Sequence, residues 1–270
     1  MGRDLLSLPP VSADERIAYG TEPNQFLDLW KSQNEGKELR GAIVMIHGGF
    51  WRARYDLTHA SHACAALARA GLAVASLEYR RVGDSGGGWP STFEDVIDGF
   101  TAACAHFDKS ARVVLLGHSA GGHLALRLAG EKYAMRGVVA LAPVACLDLA
   151  YKLHLSNDAV SEFLGSGQEQ APGVYEAACP SRHALKTPAI VVHGTLDETV
   201  PVSLSRCFLE RRASDRENLG LVEIAGAEHM DLVDPESAAW STVLECVLHM
   251  IRDDADAALA DAWPFCHHAR

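Results

Sequence analysis

Six short runs rich in β-branched and other apolar residues recur along the chain, each bounded by turn residues. They are AIVMIHG from Ala42, LAVASLEY from Leu72, RVVLLGHS from Arg112, GVVALAPV from Gly137, AIVVHG from Ala189 and LVEIAG from Leu221. A strand that is apolar at successive positions must be covered on both faces, which is the condition of a parallel sheet. Amphipathic stretches lie between the runs: LTHASHACAALARAG after the first, STFEDVIDGFTAACAHF before the third and AGGHLALRLAGEKY straight after it. VSLSRCFLERRAS precedes the last run and SAAWSTVLECVLHMIRDDADAALA follows it. Strand alternating with helix predicts right-handed crossovers and an α/β fold, a mostly parallel central sheet with helices on both faces. Upstream, DERIAYG and NQFLDLW fit an antiparallel edge pair. With no internal repeat and no low-complexity linker, one domain over residues 1–270 is expected.

The chain has 270 residues, 48% of them hydrophobic, enough to bury a sizeable core. Its formal net charge of -11 would repel nucleic acid and anionic membrane surfaces, so neither is expected as a partner. The N-terminal stretch MGRDLLSLPPVSADERIAYG lacks an apolar core of signal-peptide length, and no stretch is long and apolar enough to span a bilayer. A cytoplasmic address is the resulting expectation, with a homodimer left open. The seven cysteines are Cys64, Cys104, Cys146, Cys179, Cys207, Cys246 and Cys266, an odd number without C-x-x-C pairs, and reduced thiols are the simplest reading.

One connection exceeds the rest. Residues 148–186, between two expected strands, form a candidate cap or lid insertion overhanging the strand ends, with a short helix around Val160 to Leu164. Residues 262–270 read as a flexible tail.

Gly117-His118-Ser119-Ala120-Gly121 fits G-x-S-x-G, preceded by an apolar run and followed by small residues at a helix start. A turn sharp enough to expose a serine hydroxyl strains the backbone and crowds its neighbours, which explains the flanking glycines. A serine alone is a poor nucleophile and needs a base and an orienter. AIVVHGTLDETVP supplies Asp197, and LVEIAGAEHMDLVD supplies His229 beyond the following strand. The chain order Ser, Asp, His places all three on loops at strand C-terminal ends. Asp148 is the fallback acid, whereas Glu228 and Asp231 read as solvated. His59 and His62 lack a third ligand, His118 and His123 read as local packing or hydrogen-bonding residues, and His267 and His268 belong to the tail. No metal and no organic cofactor is required.

The second half of the site follows the first buried strand, at His47-Gly48-Gly49-Phe50-Trp51. Consecutive glycines let amides turn toward a ligand, so the amides of Gly49 and Phe50, with that of Ala120, are the expected oxyanion donors. Trp51 would either stack on a substrate aryl ring or fill space beneath the loop. Gly86, Gly87 and Gly88 before Trp89 make a flexible loop that either borders the same mouth or, the preferred reading, is a solvent loop.

Strand, HGGFW, GHSAGG, HGTLDETVP and a late histidine together resemble the α/β-hydrolase superfamily, over nearly the whole chain. Within it, HGGFW is similar to the motif of arylformamidase (kynurenine formamidase)-like esterases. The resemblance implies an α/β-hydrolase fold with Ser119 as nucleophile, Asp197 as orienter and His229 as base. The reaction expected is acyl transfer to water from a small ester or an aryl formamide, N-formylkynurenine being one such substrate. The alternatives are a broad short-chain carboxylesterase and, from another class, a non-catalytic binding protein on a hydrolase scaffold.

Overall fold

The computed structural model describes residues 3–33, 41–215 and 218–252. Its eight-stranded sheet is built from β1 (Glu15–Ala18), β2 (Phe26–Trp30), β3 (Gly41–Ile46), β4 (Ala73–Leu77), β5 (Arg112–His118), β6 (Gly137–Leu141), β7 (Ala189–Gly194) and β8 (Leu219–Ile224), in the order β1-β2-β4-β3-β5-β6-β7-β8. The β1–β2 and β2–β4 pairs are antiparallel, and every other pair is parallel. The six apolar runs are therefore β3 to β8, and the upstream pair is the antiparallel edge.

The helices are α1 (Ser61–Arg69), α2 (Ser91–His106), α3 (Ala120–Ala129), α4 (Leu147–Lys152), α5 (Ala159–Leu164), α6 (Pro172–Ala178), α7 (Ser203–Arg211) and α8 (Trp240–Ile251). Alternation along the strands sorts the core into two layers. Ala42, Val44, Ile46, Leu115 and Val191 pack with Val96 and Phe100 of α2, Leu124 and Leu128 of α3 and Phe208 of α7. Ile43, Met45, Val114, Leu116 and Val192 point the other way, onto Leu67 of α1 and Val243 and Val247 of α8. Both faces of β3 and β5 are thus dry, which is why their sequences show no polar alternation.

Residues 148–186 carry the three short helices α4, α5 and α6, with α5 where the sequence placed a helix. The 262–270 tail lies outside the described residues. No helix among those described is long and apolar enough to cross a membrane. The cysteine expectation needs correction. Cys146, just before α4, and Cys207, within α7, form a disulfide with Cα atoms 6.5 Å apart, whereas Cys64, Cys104 and Cys179 are free thiols. The two partners are 61 residues apart, so only the tertiary fold reveals the pairing.

Helix α3 meets the end of β3 at backbone distance. A Cβ on Gly121 would lie 2.1 Å from the Ile46 carbonyl oxygen and 2.4 Å from that of His47. Gly121→Ala should therefore destabilise the fold by about 1–3 kcal/mol, seen as a lower denaturant midpoint. Gly173→Ala, with nothing within 4 Å of the added carbon on α6, should be neutral or slightly stabilising in the same assay.

Candidate active site

Ser119 caps α3 at the end of β5 with φ 57° and ψ -117°, a left-handed region that non-glycine residues seldom occupy. Hydrogen bonds hold it there: its amide donates to the Leu141 carbonyl (2.8 Å), and its carbonyl accepts from the amides of His123 (3.0 Å) and Val144 (3.3 Å). The flanking glycines are there for close approach. A Cβ on Gly117 would stand 2.4 Å from the Gly121 carbonyl oxygen. The strain predicted from the motif is thus present and locked from both sides.

The HGGFW turn lies directly against this elbow, for a Cβ on Gly48 would come within 3.0 Å of the Ser119 Cβ. Gly49, Phe50 and Trp51 follow one another at φ 115°, 52° and 57°. The turn is closed by Arg52 N–H to the Gly49 carbonyl (3.1 Å) and Val82 N–H to the Trp51 carbonyl (2.8 Å). Among the described residues no hydrogen bond is donated by the Gly49 or Phe50 amide. Ala120, as the first residue of α3, likewise has no intrahelical acceptor. These are the three amides that the sequence pointed to.

Asp197 and His229 meet on the loops after β7 and β8. His229 Nδ1 is 2.6 Å from Asp197 Oδ2, with the carboxylate wholly buried. Asp197 Oδ1 accepts from the amides of Thr199 (2.9 Å) and Val200 (2.7 Å). Burial alone would push the Asp197 carboxyl up. The neighbouring His193 and His229 imidazoles and the charge of His229 outweigh that and hold it well below the ordinary carboxylate range. His193 was not anticipated as a site residue. Its Nε2 lies 3.4 Å from Asp197 Oδ2 and its Nδ1 is 2.6 Å from Ser205 Oγ. The signal was its place four residues before the acid. His229 reaches the nucleophile strand through His118, the two rings lying 4.5 Å apart.

Asp148 is not a second acid for this base. Both of its carboxylate oxygens are taken by Arg211, at 2.6 and 2.7 Å, and Arg182 stands 3.7 Å away. His62 bonds the Pro9 carbonyl (3.1 Å), His123 bonds that of Ala178 (3.0 Å), and the described residues contain no group of three or more potential metal ligands. Asp231 accepts from the Glu228 amide (2.8 Å).

The substrate-wall expectation for Trp51 is corrected. The indole is fully buried, stacked on Phe163 of α5 (4.5 Å between centroids) with the ring of His123 against it at right angles (5.1 Å). It fills space and couples the HGGFW turn to α5. Trp89 is likewise no part of a plain solvent loop: its amide donates to the Phe163 carbonyl (2.9 Å), and its ring stacks on Phe93.

A strained serine at a strand–helix elbow, a glycine turn against it and a buried carboxylate–imidazole pair, all beyond the C-terminal ends of the parallel strands, sit on an α/β-hydrolase fold. The chain belongs to the BD-FAE family, which it matches over residues 27–211. It is similar to esterase LipC of Mycobacterium tuberculosis, 28% identical over 252 residues, covering 81% of this chain and 60% of LipC. It is also similar to the isoprenylcysteine alpha-carbonyl methylesterase ICME of Arabidopsis thaliana, 27% identical over 282 residues, covering 91% of this chain and 64% of that protein. The chain thus spans 60% to 66% of the length of these curated relatives. The same fold is found in esterase B of Lactobacillus rhamnosus (TM-score 0.73, 18% identity, 92% and 90% coverage). It is also found in the esterase Est2 of Thermogutta terrifontis (TM-score 0.66, 23% identity, 92% and 94% coverage).

The depressed pKa of Asp197 gives a prediction with a definite sign. A carboxyl lowered on folding contributes stability that is fully present above its unfolded pKa, about 4, and is lost as pH falls toward its folded value. Asp197→Asn should cost about 1–3 kcal/mol at neutral pH. In urea titrations across pH the gap to the parent protein should close on acidification below about pH 4.

Proposed function

We propose that the chain is a serine hydrolase of esterase type, working through an acyl-enzyme. The observation that carries this reading is the buried 2.6 Å Asp197–His229 hydrogen bond, with the His229 ring packed 4.5 Å from that of His118, the residue preceding the strained Ser119. With Nδ1 committed to Asp197, the free Nε2 of His229 takes the Ser119 proton as Oγ attacks the substrate carbonyl carbon. The resulting oxyanion accepts hydrogen bonds from the amides of Gly49, Phe50 and Ala120. His229 then protonates the departing alkoxide, the C–O bond breaks, and the acyl group stays on Ser119. Water attacks that ester, gives one proton to His229, and the proton returns to Ser119 Oγ as the carboxylic acid leaves.

The named esterases among the relatives support an ester as substrate. An aryl formamide is the second reading, and it rests on the HGGFW motif at His47 to Trp51. In that case the acyl group is formyl and the leaving group an aromatic amine. The cytoplasmic address remains a proposal, and the Cys146–Cys207 bond weighs against it, because disulfides persist mainly in oxidising compartments.

A fluorophosphonate probe should label the parent protein and not Ser119→Ala, and the same substitution should lower aryl acetate hydrolysis by about a thousandfold or more. Rates on short-chain acyl esters and on N-formylkynurenine then decide between the two substrates: turnover of esters alone removes the formamide. Absence of labelling in the parent protein would favour a non-catalytic binding protein and end the hydrolase reading.

A further inference from the structure

The mechanism gives no task to the fully buried imidazole immediately before the nucleophile. His118 lies in β5, yet it touches each of the other two parts of the site. Its Nε2 is 3.1 Å from the backbone carbonyl of His229, a residue 111 positions away in sequence. A Cβ on Gly48 would sit 3.2 Å from His118 Nδ1 and 3.1 Å from the His118 carbonyl, so the oxyanion turn rests directly on it. Its ring also packs 4.5 Å from that of His229.

The hydrogen-bond chemistry fixes how this ring is protonated. A carbonyl oxygen can only accept, so Nε2 carries the proton. Nδ1 is buried without a partner, and a proton there would be a desolvated donor with no acceptor. A neutral Nε2–H tautomer pairs the one donor and leaves only the bare Nδ1 lone pair unpartnered. Burial, together with the neighbouring His229, also holds His118 well below the ordinary histidine range.

Asp197 fixes the orientation of the His229 ring, and Leu196 N–H to the Ala227 carbonyl (3.0 Å) joins the base loop to the acid loop, but neither contact ties that loop to β5. We propose that His118 is a positioning residue for the base: its Nε2–H anchors the His229 carbonyl to the nucleophile strand and so sets the distance between His229 and Ser119. The proposal rests on the serine-hydrolase reading above and adds to it a residue that the triad does not include. Because the tie runs from residue 118 itself, movement of the elbow and movement of the base loop are coupled. A misplacement of about 1 Å at such a site costs on the order of a hundredfold in rate.

The test compares His118→Leu, which keeps bulk and removes the donor, with His118→Gln, whose amide nitrogen can reach the place of Nε2. With an aryl acetate, His118→Leu should lower kcat by about tenfold to a hundredfold while KM stays within about twofold, and His118→Gln should recover most of the loss. Parent-like kcat in His118→Leu would overturn the proposal. So would equal losses in both variants at parent-like melting temperature. The second measurement needs no variant that folds poorly. The imidazole nitrogen-15 shifts of His118 in the parent protein at neutral pH should report a protonated Nε2 and a bare Nδ1. An Nδ1–H tautomer or an imidazolium would overturn the tie. A parent protein that neither labels with fluorophosphonate nor hydrolyses esters would remove the hydrolase reading, and the nitrogen-15 result would still decide whether the tie exists.

Discussion

The site depends on one backbone contact, the seating of Gly121 of α3 against the carbonyls of Ile46 and His47 at the end of β3. That contact leaves no room for a methyl group. It brings the first turn of α3 alongside the HGGFW turn, so that the amide of Ala120 and those of Gly49 and Phe50 belong to one small region. It also explains why the elbow tolerates Ser119 in the left-handed region: Gly117 lets the Gly121 carbonyl come close below, while the Ser119 amide donates to Leu141 of β6 and its carbonyl accepts from the Val144 amide beyond it. Close packing converts an otherwise unfavourable backbone conformation into the lowest state available.

A polar layer supports this contact from beneath. His47 places Nδ1 2.7 Å from the Gly48 carbonyl and Nε2 3.0 Å from Glu78, and its ring stacks on Tyr79, whose hydroxyl donates to the His47 carbonyl (2.8 Å). Glu78 also takes Arg81 at 3.0 Å and the Leu57 amide at 3.1 Å. Such buried charges are tolerable only because nearly every polar atom has a partner. The arrangement on the other side of the sheet's edge is similar in kind: Asp197 accepts from two amides and one imidazole, with a second imidazole close by. Fixed dipoles of this sort need no reorganisation when charge develops at the reacting carbonyl.

What could be read from the sequence divides along physical lines. The strands β3 to β8 were legible because burial on both faces leaves its mark on every residue, and the edge pair because turns interrupt it. Ser119, Asp197 and His229 were legible as candidates because each follows an apolar run, in an order the topology can bring together. Contacts between residues far apart in the chain leave no local mark. The Cys146–Cys207 bond, the full occupation of Asp148 by Arg211, the burial of Trp51 and the reach of His118 to His229 all depend on crossings between elements. His193 stands between these cases: its spacing from Asp197 was visible, but its direction was not.

The corrected role of Trp51 changes how the cap should be regarded. Trp51 belongs to the oxyanion turn and Phe163 to α5, and their stacked rings make turn and cap one packed unit. Arg52, the next residue, reinforces the join by binding Glu162 (2.5 Å), Ser156 Oγ (3.1 Å) and the Asn157 carbonyl (3.2 Å). The segment it grips holds Ser156, Asn157 and Asp158 at positive φ, a strained run that needs outside support. Phe50 and Trp51 are themselves strained, so each of the two strained segments is held by the other. A cap fastened in this way cannot shift without disturbing the amides expected to hold the oxyanion. Through Arg52 and Phe163, the conformation of the HGGFW turn and that of residues 156–163 are therefore set by the same contacts.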